Sequence, residues 1–143
     1  MAPPTRWLPD RERRWASIHE QVARELGDAE RVTVVPEEPL VSASVLRLGG
    51  YRAHSDAAFE HGDIGGDDRV AAYEQFLRRE RPDAIVTTSR DRPQFAPRIS
   101  NRLVEQAARS LGYTLERHFP TPDGSASGLG AILTGLSTWI SSA

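Results

Sequence analysis

Asp83-Ala84-Ile85-Val86-Thr87-Thr88 is the stretch on which the fold turns. It is short, β-branched and uncharged after Asp83, and it follows Arg81-Pro82, where a helix stops because the residue before a proline avoids the helical region. A run of this kind, set off from a helix by a turn, reads as a strand buried on both faces, and such strands belong to parallel sheets. Arg31-Val32-Thr33-Val34-Val35 repeats the pattern upstream and empties into Pro36 and Pro39.

Around these strands the period changes to that of helices. From Asp10, a good N-cap, Trp15, Ile18, Val22 and Leu26 fall on one face, and Gly27 is placed to end the helix. Pro39 can open a second helix over Leu40 to Leu48, closed by Gly49-Gly50, with a short strand expected at Tyr51 to His54 and a loop from there to Gly66. Asp67 or Asp68 would cap a third helix carrying Val70, Tyr73 and Leu77. Ile99, Leu103, Ala107 and Leu111 mark a fourth, ending at Gly112. Tyr113, Leu115, Arg117 and Phe119 then alternate with polar residues as a half-exposed strand, which places His118 on the outward face. Pro120 to Gly124 is a turn, and Gly130 to Leu133 would return to make an antiparallel hairpin at the sheet edge. Helices alternating with short apolar strands predict an α/β fold: a Rossmann-like three-layer sandwich with a mainly parallel sheet and a C-terminal antiparallel hairpin. The organisation expected is an extended arm over 1–9, one α/β domain over 10–135 and a tail over 136–143.

Composition narrows the chemistry. The 143 residues are 38% hydrophobic and 27% charged with a net charge of −2, so the basic excess of a nucleic-acid binder is absent and no nucleic-acid partner is expected. Without cysteine there can be no disulfide, thiol nucleophile or thiolate metal site. All 18 basic residues are Arg, which removes Schiff-base chemistry and the lysine of a phosphate-binding P-loop. The first residues carry no apolar run of a secretory signal, and the weakly polar stretch Gly128 to Ile140 is shorter than the roughly 18–20 residues of a membrane span. No transmembrane segment is expected.

Ligands of open α/β sheets bind outside the carboxyl ends of the strands, which directs attention to three stretches: Pro36 to Pro39, Ser55 to Gly66 and Ser89 to Pro97. Thr88, Ser89, Arg90 and Arg92 are the candidate ligand-binding residues, since hydroxyls and guanidinium groups at a strand end can hold a phosphate or carboxylate. No metal and no cofactor are expected, because the His and Asp spacing matches no metal motif. Were an ion bound, His54, Asp56, His61 and Asp63 would be its ligands. The hydrolase elbow fails at Gly124-Ser125-Ala126-Ser127-Gly128, whose centre is alanine, and the turn Pro36-Glu37-Glu38-Pro39 lacks the glycines of a dinucleotide fingerprint. No catalytic residue is named.

Three segments carry a resemblance. Ala29-Glu30-Arg31-Val32-Thr33-Val34-Val35-Pro36 follows a helix, Phe76-Leu77-Arg78-Arg79-Glu80-Arg81-Pro82-Asp83-Ala84-Ile85-Val86 spans a helix end and a strand, and Leu111-Gly112-Tyr113-Thr114-Leu115-Glu116-Arg117-His118-Phe119 leads into a hairpin. In this order they resemble the soluble C-terminal α/β domain that follows the membrane helices of bacterial polyprenyl-phosphate-sugar-dependent membrane glycosyltransferases. The resemblance implies a non-catalytic accessory or ligand-binding domain on the extracytoplasmic face, partnered by a membrane-embedded catalytic part. That family's catalytic acid lies in its membrane portion, so no catalytic residue carries over. Two alternatives stand beside it. One is a small enzyme, cytoplasmic if it stands alone, that binds a sugar phosphate or nucleotide at residues 89–92. The other is a scaffold subunit that docks through Trp7 and an exposed apolar tail, Leu129 to Ile140.

Overall fold

Val32, Thr33 and Val34 form β1, a three-residue strand with every side chain buried, and the rest of the sheet is built outward from it. The structure, a computed structural model, describes residues 10–35, 41–62, 69–88, 101–120 and 135–141. In chain order the elements are α1 (Asp10–Glu25), β1 (Val32–Val34), α2 (Ala43–Ala53), β2 (Phe59–His61), α3 (Val70–Glu80), β3 (Ala84–Thr88), α4 (Asn101–Ser110), β4 (Tyr113–Pro120) and β5 (Gly135–Ser141). They make a mixed α/β fold of four helices and a five-stranded sheet, among the described residues, in the order β2-β1-β3-β5-β4.

β1 pairs in parallel with β2 on one side and β3 on the other. β5 runs antiparallel to both β3 and β4. The sheet is mixed: two of the four pairings are parallel and two antiparallel, because β5 alone among the described strands runs against the other four. The hairpin is real but differently made. The returning strand described is Gly135 to Ser141, the inner member of the edge pair, between β3 and β4; Gly130 to Leu133 lie outside the described residues. What was expected to be a tail over 136–143 thus supplies an interior strand, with Leu136 and Trp139 fully buried. Leu136-Ser137-Thr138-Trp139-Ile140 lacks a continuous apolar signal, because small hydroxyl side chains occupy buried positions between two neighbours.

Two further expectations fail near α2. The helix starts at Ala43, capped by the Ser42 hydroxyl, which accepts from the Val45 amide, and it continues through Gly49-Gly50 to Ala53. Tyr51 to Ala53 are helical, and His54 closes the helix in the left-handed conformation. Gly49 is present for packing: a Cβ there would stand 2.7 Å from the His19 backbone, so its absence is what lets α1 and α2 cross closely. β2 appears where a loop was expected. Its three residues pair with β1 and bury Phe59. Downstream, Arg69 occupies the N-cap of α3 without a side-chain cap, while Asp67 and Asp68 lie outside the described residues. Gly112, at φ 90°, ends α4 as the spacing predicts.

Alternate strand positions feed two apolar clusters. Val32, Val34, Ala84, Val86, Leu136 and Phe119 pack with Trp15 and Val22 of α1, Leu26 just after it, and Leu46 of α2. Val35, Ile85, Trp139 and Tyr113 pack with Tyr73, Phe76 and Leu77 of α3 and with Val104, Ala107 and Ala108 of α4. Because successive side chains of a strand point to opposite faces, α1 and α2 cover one face and α3 and α4 the other. The chain steps from β1 to β2 in one direction and returns past β1 to β3, and right-handed crossovers then put α2 and α3 on opposite sides. No helix among the described residues is long and apolar enough to cross a membrane.

Candidate functional site

The two ends of this sheet are built differently. At the amino ends of β1 to β4 the links 26–31, 54–58, 81–83 and 111–112 are short and hydrogen-bonded. The Asp83 carboxylate accepts from the amides of Glu30 and Arg31, each at 3.0 Å. The buried Tyr113 hydroxyl donates to the Pro82 carbonyl at 2.6 Å. Ser141 donates its amide to the Asp83 carbonyl. Arg31 joins Glu60 and Glu80, and this pairing with Glu60 first and Glu80 second raises the guanidinium pKa while Arg31 holds the Glu80 carboxyl below its usual range. This end is a clasp.

At the carboxyl end the strands change character. β3 runs from Ala84-Ile85-Val86 into Thr87-Thr88, and β5, entering from the same end, opens with Gly135-Leu136-Ser137-Thr138. Thr87 is cross-strand neighbour to Ser137, and Ser137 to His118 on β4, so the three side chains form a row across three strands on the face covered by α4. Thr87 is fully buried and Ser137 nearly so. The indole Nε1 of Trp139 donates to Thr87 Oγ1 at 3.0 Å, and Thr87 Oγ1 donates to Glu105 Oε1 of α4 at 3.3 Å. The Arg109 guanidinium, one helical turn on, lies over the Trp139 ring at 5.1 Å from its centroid. His118 Nδ1 lies 3.0 Å from Ser137 Oγ. Buried hydroxyls in a strand core cost stability unless paired, and this row is paired.

A β-bulge is what turns His118 inward. The register of β4 against β5 shifts between Leu115 and Arg117. Before it Tyr113 and Leu115 share the face of Trp139. After it Arg117 and Phe119 take the opposite face, where Arg117 meets Glu25 of α1, and His118 joins Ser137. The uninterrupted alternation expected from Tyr113 to Phe119, with His118 outward, is corrected accordingly: His118 is half-buried.

The residues expected from the sequence fall as follows. Thr88 ends β3, buried, with its side chain on the face opposite Thr87. Ser89, Arg90 and Arg92 lie outside the described residues, as does Asp63. His54 is the exposed C-cap of α2 and Asp56 lies in the link before β2, both at the amino end of the sheet, while His61 is the last residue of β2 at the carboxyl end. A three-residue strand, about 10 Å long, separates them. No three His, Asp or Glu side chains among the described residues are grouped to hold a metal ion. Of the apolar tail expected to dock a partner, residues 135–140 belong to β5, inside the sheet, while residues 129–134 and Trp7 lie outside the described residues. The large exposed apolar side chains among the described residues are instead Leu48, Tyr51 and Leu115.

The row Thr87–Ser137–His118 escaped the sequence reading because its members are far apart in the chain. The one visible hint was the double threonine ending an otherwise aliphatic strand. Compared with protein-family models, curated proteins and solved structures, the chain matches none.

Proposed function

We propose that this chain is a non-catalytic accessory or ligand-binding α/β domain, Rossmann-like in its three-layer arrangement, that takes a small anionic ligand at the carboxyl edge of its sheet. The observation that supports this reading is the parting of the chain at β1 and β3. These strands are parallel neighbours, yet the helix after β1 packs on one face and the helix after β3 on the other. Connections that leave adjacent strand ends in opposite directions open a crevice between them, and ligands of open α/β sheets bind in such crevices. Thr87 and Thr88 end the strand at its rim, and the chain continues from them into Ser89, Arg90 and Arg92, whose residue types suit a phosphate or carboxylate.

The test is isothermal titration of the purified chain with inorganic phosphate, sugar phosphates and nucleotides, repeated on Arg90→Ala and Arg92→Ala. Saturable binding that weakens at least tenfold in either variant is expected, the range for loss of one charge-assisted hydrogen bond. A wild-type chain that binds none of these ligands overturns the proposal. Binding accompanied by turnover would replace it with the small-enzyme alternative.

A further inference from the structure

Resting on that reading, we propose that His118 is a ligand contact, its Nε2–H donating to an anionic oxygen of the bound molecule. Nε2 is buried and has no hydrogen-bond partner among the described residues. The other ring nitrogen is committed to Ser137 Oγ. With the Ser137 hydroxyl assigned as the donor to Nδ1, the neutral imidazole carries its own proton at Nε2, the tautomer that the experiment below reads. The imidazolium form also presents Nε2–H. In either state the ring offers a donor, and a donor withdrawn from water without an acceptor is destabilising, so an oxygen brought to it is favoured.

Position agrees with chemistry. β4 runs parallel to β3, because both are antiparallel to β5, so His118 approaches the same edge of the sheet as Thr87 and Thr88. Two strand spacings, about 10 Å, separate Thr87 from His118. A ligand held at the end of β3 and also reaching His118 therefore has polar groups at both ends, as in a phosphorylated sugar or a nucleotide, rather than a lone small ion. The charged groups of α4 that meet this row are Glu105, which accepts from Thr87, and Arg109, stacked on Trp139. Ser137 acts as a positioning residue that holds the ring.

Long-range proton–nitrogen NMR of the four imidazoles in the full chain reads this directly, with a sugar phosphate as the titrant. His118 is expected in the Nε2–H form, with its Nε2 resonance moving on saturation, and His118→Gln is expected to weaken binding about tenfold. Ser137→Ala should convert His118 to a mixture of tautomers and weaken binding less. Saturable binding that leaves the His118 resonances unmoved, or equal affinity in His118→Gln, overturns this inference while leaving the binding domain standing. Absence of any binding by the wild-type chain overturns both.

Discussion

Tyr113 shows how one side chain ties the two ends of an element together. It begins β4, lies on the α4 face of the sheet, and donates its hydroxyl to the carbonyl of Pro82, the residue that starts the turn into β3. Burial first, and the nearby Asp83 charge second, push the phenol above its usual value of about 10. Because the folded state holds the phenol proton more tightly than the unfolded chain, this contribution is fully present below about pH 10 and is lost as pH rises through the raised folded value. Tyr113→Phe is expected to cost about 1–2 kcal/mol at neutral pH by leaving the Pro82 carbonyl unpaired. It should also flatten the alkaline limb of the stability profile, as denaturant unfolding from pH 8 to 11 would record. An unchanged midpoint at pH 7 would remove the hydrogen bond from the account. Tyr113 could be read from the sequence as the start of a strand. Its partner could not, since the Pro82 carbonyl is 31 positions away. His118 was misread for a related reason: strict alternation cannot anticipate a bulge, and one extra residue reverses every side chain after it.

At the scale of elements, the glycine pair of α2 separates backbone signals from packing signals. Glycine after an apolar run ordinarily marks a helix end, yet here the helix continues and its small face receives α1. The two positions differ in what they touch. A Cβ at Gly49 meets the His19 backbone at 2.7 Å, whereas one at Gly50 meets Ala23 Cβ and the Phe59 ring at 3.7 Å, ordinary contact. Gly49→Ala therefore adds overpacking of about 1–3 kcal/mol against a helix-propensity gain of roughly 1 kcal/mol. Gly50→Ala keeps the gain alone. Thermal denaturation should show the first variant destabilised and the second equal to or above wild type. A Gly49→Ala chain as stable as Gly50→Ala would mean that α1 and α2 do not cross at this point. β2 belongs to the same scale. Phe59-Glu60-His61 carries no strand pattern of its own and becomes a strand by pairing with β1 and by the burial of Phe59.

For the whole molecule the decisive element is β5, the last described in the chain. Among the described residues it is the sole neighbour of β4 in the sheet, and it supplies Leu136 to one apolar cluster and Trp139 to the other. Removal of the residues after Gly128 should therefore abolish cooperative unfolding, seen as loss of the urea transition by circular dichroism, rather than merely prevent association. A truncated chain that still unfolds cooperatively would mean that β5 is dispensable. Determined by the sequence itself were the α/β class, α1, α3 and α4, the strands β1 and β3, and the helix ends at Pro82 and Gly112, because each rests on the identity of residues close together in the chain. The place of Thr88 at the end of a buried strand was likewise legible, since that strand's limits are set by Pro82 and the polar residues after it. Left to the tertiary structure were the place of β5 between β3 and β4, the edge strand β2, the close crossing at Gly49 and the row Thr87–Ser137–His118. Each depends on contacts between distant segments: three residues become a strand only beside a neighbour, a glycine admits a second helix only where one arrives, and three polar side chains form a row only once the register of three strands is set.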